Sequence, residues 1–113
     1  MDKLTNYRSL IERILSEYVD LCNEQPRPGI ESLLIVDGER GHFIWLKLGW
    51  ENAVRVKYIT VYVRLRGGKF WIEEDWTEDG IANDLVREGV PREDIVLAFH
   101  DPETRKQTDF AAA

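Results

Sequence analysis

Cysteine is almost missing from this chain. Cys22 stands alone, so neither an internal disulfide nor a thiolate zinc site can form within it. Long apolar runs are missing too. The longest, such as Leu33–Val36 and Ile95–Phe99, reach four or five residues, whereas a membrane-spanning helix needs about 20. The opening Met1-Asp2-Lys3-Leu4 lacks the basic-then-apolar order of a secretory signal. Together these absences predict a cytoplasmic protein with no membrane association. Positive charge is in deficit, with 15 Lys and Arg against 21 Asp and Glu and a net charge of −6. Nucleic-acid binding needs cations that displace counterions from phosphates, so direct sequence-specific DNA binding is not expected. No phosphate-cradling loop is present either: Arg66-Gly67-Gly68-Lys69 lacks the spacing of a P-loop.

What is present describes one globular domain. The 113 residues are 43% hydrophobic and 11% aromatic, too apolar for a disordered chain and long enough for a single domain, 1–113. Leu4, Tyr7, Leu10, Ile11, Ile14, Leu15, Tyr18 and Val19 recur at helical spacing, which predicts a helix over Lys3–Asn23 with Asp2 as its N-cap and Pro26, Pro28 and Gly29 beyond its end. Four strand-like runs follow, Glu31–Val36, His42–Gly49, Val54–Leu65 and Lys69–Glu74. Their short connections predict an antiparallel four-stranded meander. Thr77 is the expected N-cap of a second helix over Glu78–Glu88, and Gly89 its stop. The Ile95–Phe99 run reads as a short C-terminal strand or an extended segment. The expected fold class is therefore α+β, with both helices packed on one face of the sheet.

Register can be worked out from the Gly67-Gly68 turn. It places Ile59, Val61, Val63, Leu65, Phe70 and Ile72 on the core face. Val54 and Val56 fall one step out of phase, which predicts either a β-bulge near Lys57-Tyr58 or a strand whose first half leaves the core. The same reading puts Trp45, Tyr62 and Trp71 on the opposite face, with Arg64 covering part of Trp71. Three large aromatics on a face without helices predict self-association as a homodimer.

Charge is unevenly spread. Between Asn52 and Ile72 five residues are basic and none acidic, while five of the seven from Glu73 to Asp79 are acidic. Glu73, Glu74 and Asp75, with Arg105 as a lesser candidate, are the expected partner-binding residues. Asp75, Glu78 and Asp79 could alternatively hold a divalent metal in a small nuclease-like enzyme. The simpler reading is that Asp75 ends a strand and Glu78 and Asp79 suit a helix start. His42 and His100 sit at the ends of elements, and no Ser or Tyr stands among the arginines a recombinase needs. The expectation is a protein that is not an enzyme and takes no cofactor.

An ordered series of residues resembles one known family. It comprises Tyr7, Gly49-Trp50, Lys69-Phe70-Trp71-Ile72, Asp75, Thr77-Glu78-Asp79-Gly80-Ile81-Ala82, Leu85, Gly89-Val90-Pro91, Asp94-Ile95-Val96-Leu97, Phe99-His100, Pro102, Arg105 and Phe110-Ala111. Over essentially the whole chain this resembles XisI, the fdxN element excision controlling factor of cyanobacteria. The resemblance implies a link to programmed DNA excision during heterocyst differentiation, with strand exchange done by a separate recombinase. It also implies a partner, an XisH-like protein, and an α+β fold.

Overall fold

The computed structural model describes residues 2–24 and 27–113. Helix α1 runs Lys3–Glu24 and buries Ile11, Ile14, Leu15 and Val19 along one side, as their spacing dictates. The Asp2 carboxylate accepts the Thr5 N–H at 2.8 Å, capping the first turn. Pro26 lies outside the described residues, while Pro28 and Gly29 form the turn that leads into the sheet. No helix among the described residues is long and apolar enough to cross a membrane.

Strands β1 (Ile30–Asp37), β2 (His42–Glu51), β3 (Val54–Arg66) and β4 (Lys69–Asp75) form the expected antiparallel meander. A fifth strand, β5 (Ile95–Leu97), pairs parallel to β4. Among the described residues the sheet is therefore five-stranded and mixed, in the order β1-β2-β3-β4-β5, rather than four-stranded and antiparallel. The reason lies in the connection. From Asp75 to Ile95 the chain forms helix α2 (Ile81–Arg87) and a 3-10 turn at Arg92–Asp94, long enough to return to the starting end and lay down a parallel strand. A four-residue helix, α3 (Pro102–Arg105), follows, and Ala111 then bridges to Val96.

The Gly67-Gly68 turn has φ of +61° and +75°, the conformation a primed hairpin requires. It sets Leu65 opposite Phe70 and Val63 opposite Ile72, as expected. Further along β3 the expectation fails. Trp45 pairs with Val61 but Leu46 pairs with Ile59, so the extra residue is Thr60, not Lys57 or Tyr58. A second bulge sits beside it: Ile72 pairs with Val63 and Glu74 with Tyr62, leaving Glu73 unpaired. The Thr60 bulge sends Ile59 to the face away from the helices. It does bring Val54 and Val56 into phase with Val61, but that end of the strand runs beyond the core and Val54 stays 64% exposed.

Both helices cover one face. Tyr7 lies on Phe70 with ring centroids 4.5 Å apart, and Tyr18 stacks on Trp45 at 5.5 Å. Ile81, Ala82 and Leu85 of α2 join Phe43, Val61, Val63, Phe70 and Ile72 in the same core cluster. Trp45 is thus a core residue, 5% exposed, and not part of the opposite face. The bulge at Thr60 is the physical cause, since a regular ladder would have set Ile59 on the core side and Trp45 away from it. Trp71 does lie away from the helices. Its ring is covered by the Arg66 and Arg105 guanidiniums at 4.9 and 5.8 Å, not by Arg64. The aromatic trio expected to drive self-association is therefore not one surface.

Polar groups lock the helical layer. The Tyr18 hydroxyl donates to Asp84 at 2.6 Å, and the Tyr7 hydroxyl donates to Asp94 at the same distance. Burial and the Asp84 carboxylate push the Tyr18 phenol up to about 12. Burial raises the Asp94 carboxyl, but hydrogen bonds from Lys3 and Tyr7 pull it further the other way, leaving it below its ordinary value. At the other end of α1, the Asn23 amide pairs with both the N–H and the carbonyl of Ser32. It thereby occupies part of the open edge of β1.

Candidate partner-binding site

The acidic run leaves the sheet at the end of β4, and the paired bulges divide its carboxylates among different tasks. Glu73, the bulged residue, reaches the Arg64 guanidinium at 3.6 Å. Glu74, opposite Tyr62, faces away from the helices and accepts the Trp76 indole N–H at 2.7 Å. Asp75, opposite Val61, turns to the helical side. There its Oδ1 accepts the backbone N–H and the hydroxyl of Thr77 at 2.9 and 2.6 Å, and its Oδ2 accepts the Ile81 N–H at 2.7 Å. Asp75 therefore caps α2 from a distance. The helix begins at Ile81 with Gly80 as its N-cap residue, and Thr77, the expected cap, receives only the Gly80 N–H at 3.2 Å. Glu78 and Asp79 precede the helix instead of forming its first turn.

That arrangement bears on both chemical readings. The two oxygens of Asp75 are already engaged by N–H and O–H donors, and Asp79 pairs with Arg87 at 2.7 Å. Among the described residues no group of three or more His, Cys, Asp and Glu side chains stands close enough to hold a metal ion. The two histidines have separate surroundings: His42 Nδ1 shares a 2.7 Å hydrogen bond with the Tyr62 hydroxyl, and His100 lies 4.6 Å from Phe99. Arg105 is occupied within the chain. Its Nε donates to the His100 carbonyl at 2.9 Å and its Nη2 to the Ala98 carbonyl at 3.3 Å, so it fastens the C-terminal segment beside Trp71.

The residue that sequence reasoning missed is Trp76. It is 72% exposed, held by Glu74 at the indole and by its backbone N–H on the carbonyl of the bulged Thr60 at 2.9 Å. A large aromatic ring fixed at both ends and presented to solvent among carboxylates is the kind of anchor that binding surfaces use. The signal was available: Trp76 belongs to neither the strand alternation before it nor the helical stripe after it, so no core position awaits it.

A single mixed sheet with one helical layer and an acidic, aromatic-tipped strand end defines a small α+β protein. A family model described as XisI protein matches residues 1–112, and the chain belongs to the XisI family. Solved structures agree. A XisI-like protein from Anabaena variabilis ATCC 29413, known at 1.30 Å resolution, is 34% identical, with 97% of this chain and 99% of that one covered and a TM-score of 0.90. The fdxN element excision controlling factor XisI from the same organism, known at 2.19 Å, is 42% identical over 99% of this chain and 100% of that one, with a TM-score of 0.87. No match is found among curated proteins.

Proposed function

We propose that this chain is a non-enzymatic accessory protein that controls excision of a DNA element by binding another protein, one of the XisH type. The excision role follows from its likeness to the Anabaena excision controlling factor. The observation that carries the binding role is Trp76, exposed yet held in place by Glu74 and the Thr60 bulge. A ring already immobilised loses little entropy on docking, and exposed Glu78 two residues further on favours a basic partner surface. The net charge of −6 favours a protein target over DNA.

Titration calorimetry with an XisH-like partner tests this. Trp76→Ala is expected to weaken binding about thirty-fold, the loss of one hot-spot aromatic. The Glu73→Lys, Glu74→Lys double variant should weaken it further at low salt than at 0.3 M, because screening shortens to well under 10 Å there. Unchanged affinity for a correctly folded Trp76→Ala protein refutes the surface. Metal-dependent DNA cleavage by the purified chain refutes the non-enzymatic role.

A further inference from the structure

The face of the sheet opposite the helices carries a patterned surface of its own. Register sets Glu31, Leu48 and Lys57 in one row across β1, β2 and β3. Leu33, Leu46 and Ile59 form the next row, then Ile35, Ile44 and Tyr62, then Asp37, His42 and Arg64. The two middle rows are apolar, and the Tyr62 hydroxyl is already bonded to His42. Ile35 is 46% exposed, and α1 and α2 lie on the other side. With strands about 4.8 Å apart and rows about 6.8 Å apart, the two apolar rows cover on the order of 200 Å² and all four rows about 400 Å². With its charged margins the surface supplies about half of the roughly 800 Å² per partner of a standard interface.

The charges say what covers it. The β1 margin is acidic, with Glu31 and with Asp37, which also pairs with Arg40, and the β3 margin is basic, with Lys57 and with Arg64, which also reaches Glu73. We propose that two copies of this chain pack these faces together about a two-fold axis running along β2. That operation lays β1 of one copy over β3 of the other. Glu31 then meets Lys57, Asp37 meets Arg64, Leu33 meets Ile59, and Ile44 and Leu46 meet their own counterparts. The alternative axis, across the strands, sets Glu31 over Asp37 and Lys57 over Arg64, like charge on like. Electrostatics therefore selects the first. Glu31 and Lys57 are exposed and make no ion pair among the described residues, so both are free to cross the interface. The twist of about 30° between aligned packed sheets leaves these long side chains within reach of each other. Edge-to-edge pairing along β1 is disfavoured, because Asn23 holds the Ser32 backbone there. β4 and Trp76 lie beyond β3, outside the overlap, so this dimer and the partner-binding surface stand or fall separately.

Sedimentation across a concentration series tests the arrangement, with circular dichroism confirming that each variant is folded. The native chain is expected to be a dimer at about 10 μM. Ile44→Asp, which sets two carboxylates facing each other at the axis, should weaken the dimer more than about 100-fold. Glu31→Lys and Lys57→Glu should each weaken it roughly tenfold, since each variant sets two like-charge pairs across the axis. Both changes in one chain should restore it to within about twofold. An equimolar mixture of the two single variants should form a heterodimer tighter than either homodimer, because both pairs are opposite in charge again. A native chain that is monomeric at about 100 μM overturns the proposal. So does a dimer indifferent to Ile44→Asp, or charge variants that weaken it with no rescue in the double variant or the mixture.

Discussion

The two faces of this sheet have the same backbone and opposite fates. On the helical face, Phe43, Val61, Val63, Phe70 and Ile72 are wholly buried, and the helices above are tied down by tyrosine–carboxylate hydrogen bonds. On the other face, similar aliphatic residues in β1, β2 and β3 are only half-covered, and charges lie along the margins. The difference teaches that burial within the chain is decided by where two helices can land, not by the apolarity of the strands. The first face supplies stability to the chain, and the second stays open.

The largest test of that contrast compares truncations on the two sides. Phe70→Ala, emptying the centre of the helical face under Tyr7, should cost about 4 kcal/mol in urea unfolding. Leu46→Ala on the bare face should cost less than about 1 kcal/mol at a concentration where the chain is monomeric. Equal costs would erase the distinction. Next in size is the polar lock between α1 and the 3-10 turn. Asp94→Ala should cost about 1–2 kcal/mol, because the half-buried Tyr7 hydroxyl loses its acceptor and Lys3 its partner. The sign with pH follows from the depressed Asp94 carboxyl. Its contribution is fully present above the ordinary carboxylate range and is lost as pH falls through the lower folded value. Stability measured from pH 7 to pH 2 should therefore fall less steeply in Asp94→Asn than in the native chain.

Asp75→Ala removes the acceptor for Thr77 and for the first N–H of α2 and should cost about 1–2 kcal/mol by thermal unfolding. An effect on partner binding with no loss of stability would return Asp75 to the binding surface. The smallest effect sits at the bulge. The Thr60 hydroxyl is buried with no hydrogen-bond partner, so Thr60→Val should gain up to about 1 kcal/mol. A loss would mean that the hydroxyl helps set the bulge on which Trp76 hangs.

Much of this fold was legible in local pattern. The α1 stripe, four strands and the Gly67-Gly68 turn follow from period, capping residues and positive φ, each of which acts within a few residues. Family membership was legible in the ordered series from Lys69 to Phe110. The candidate site was half legible. The acidic run stood out as a charge cluster, yet nothing local separates Asp75, which turns inward as a cap, from Glu74, which turns outward to hold Trp76.

The rest was settled by contacts between distant segments. A three-residue strand carries no period, so β5 became a strand only because the α2 crossover returned Ile95 beside Phe70. Alternation along β3 showed that a phase break was needed but not where. Its place at Thr60 depends on Trp45 finding Tyr18 of α1, some 27 residues away along the chain, and on Val61 packing under the helices. One slipped residue exchanges the two faces of a strand. Sequence alone thus determined the elements and the charge they carry. The tertiary structure alone decided which aromatics became core, which ring was left standing in solvent, and which face of the sheet remained open.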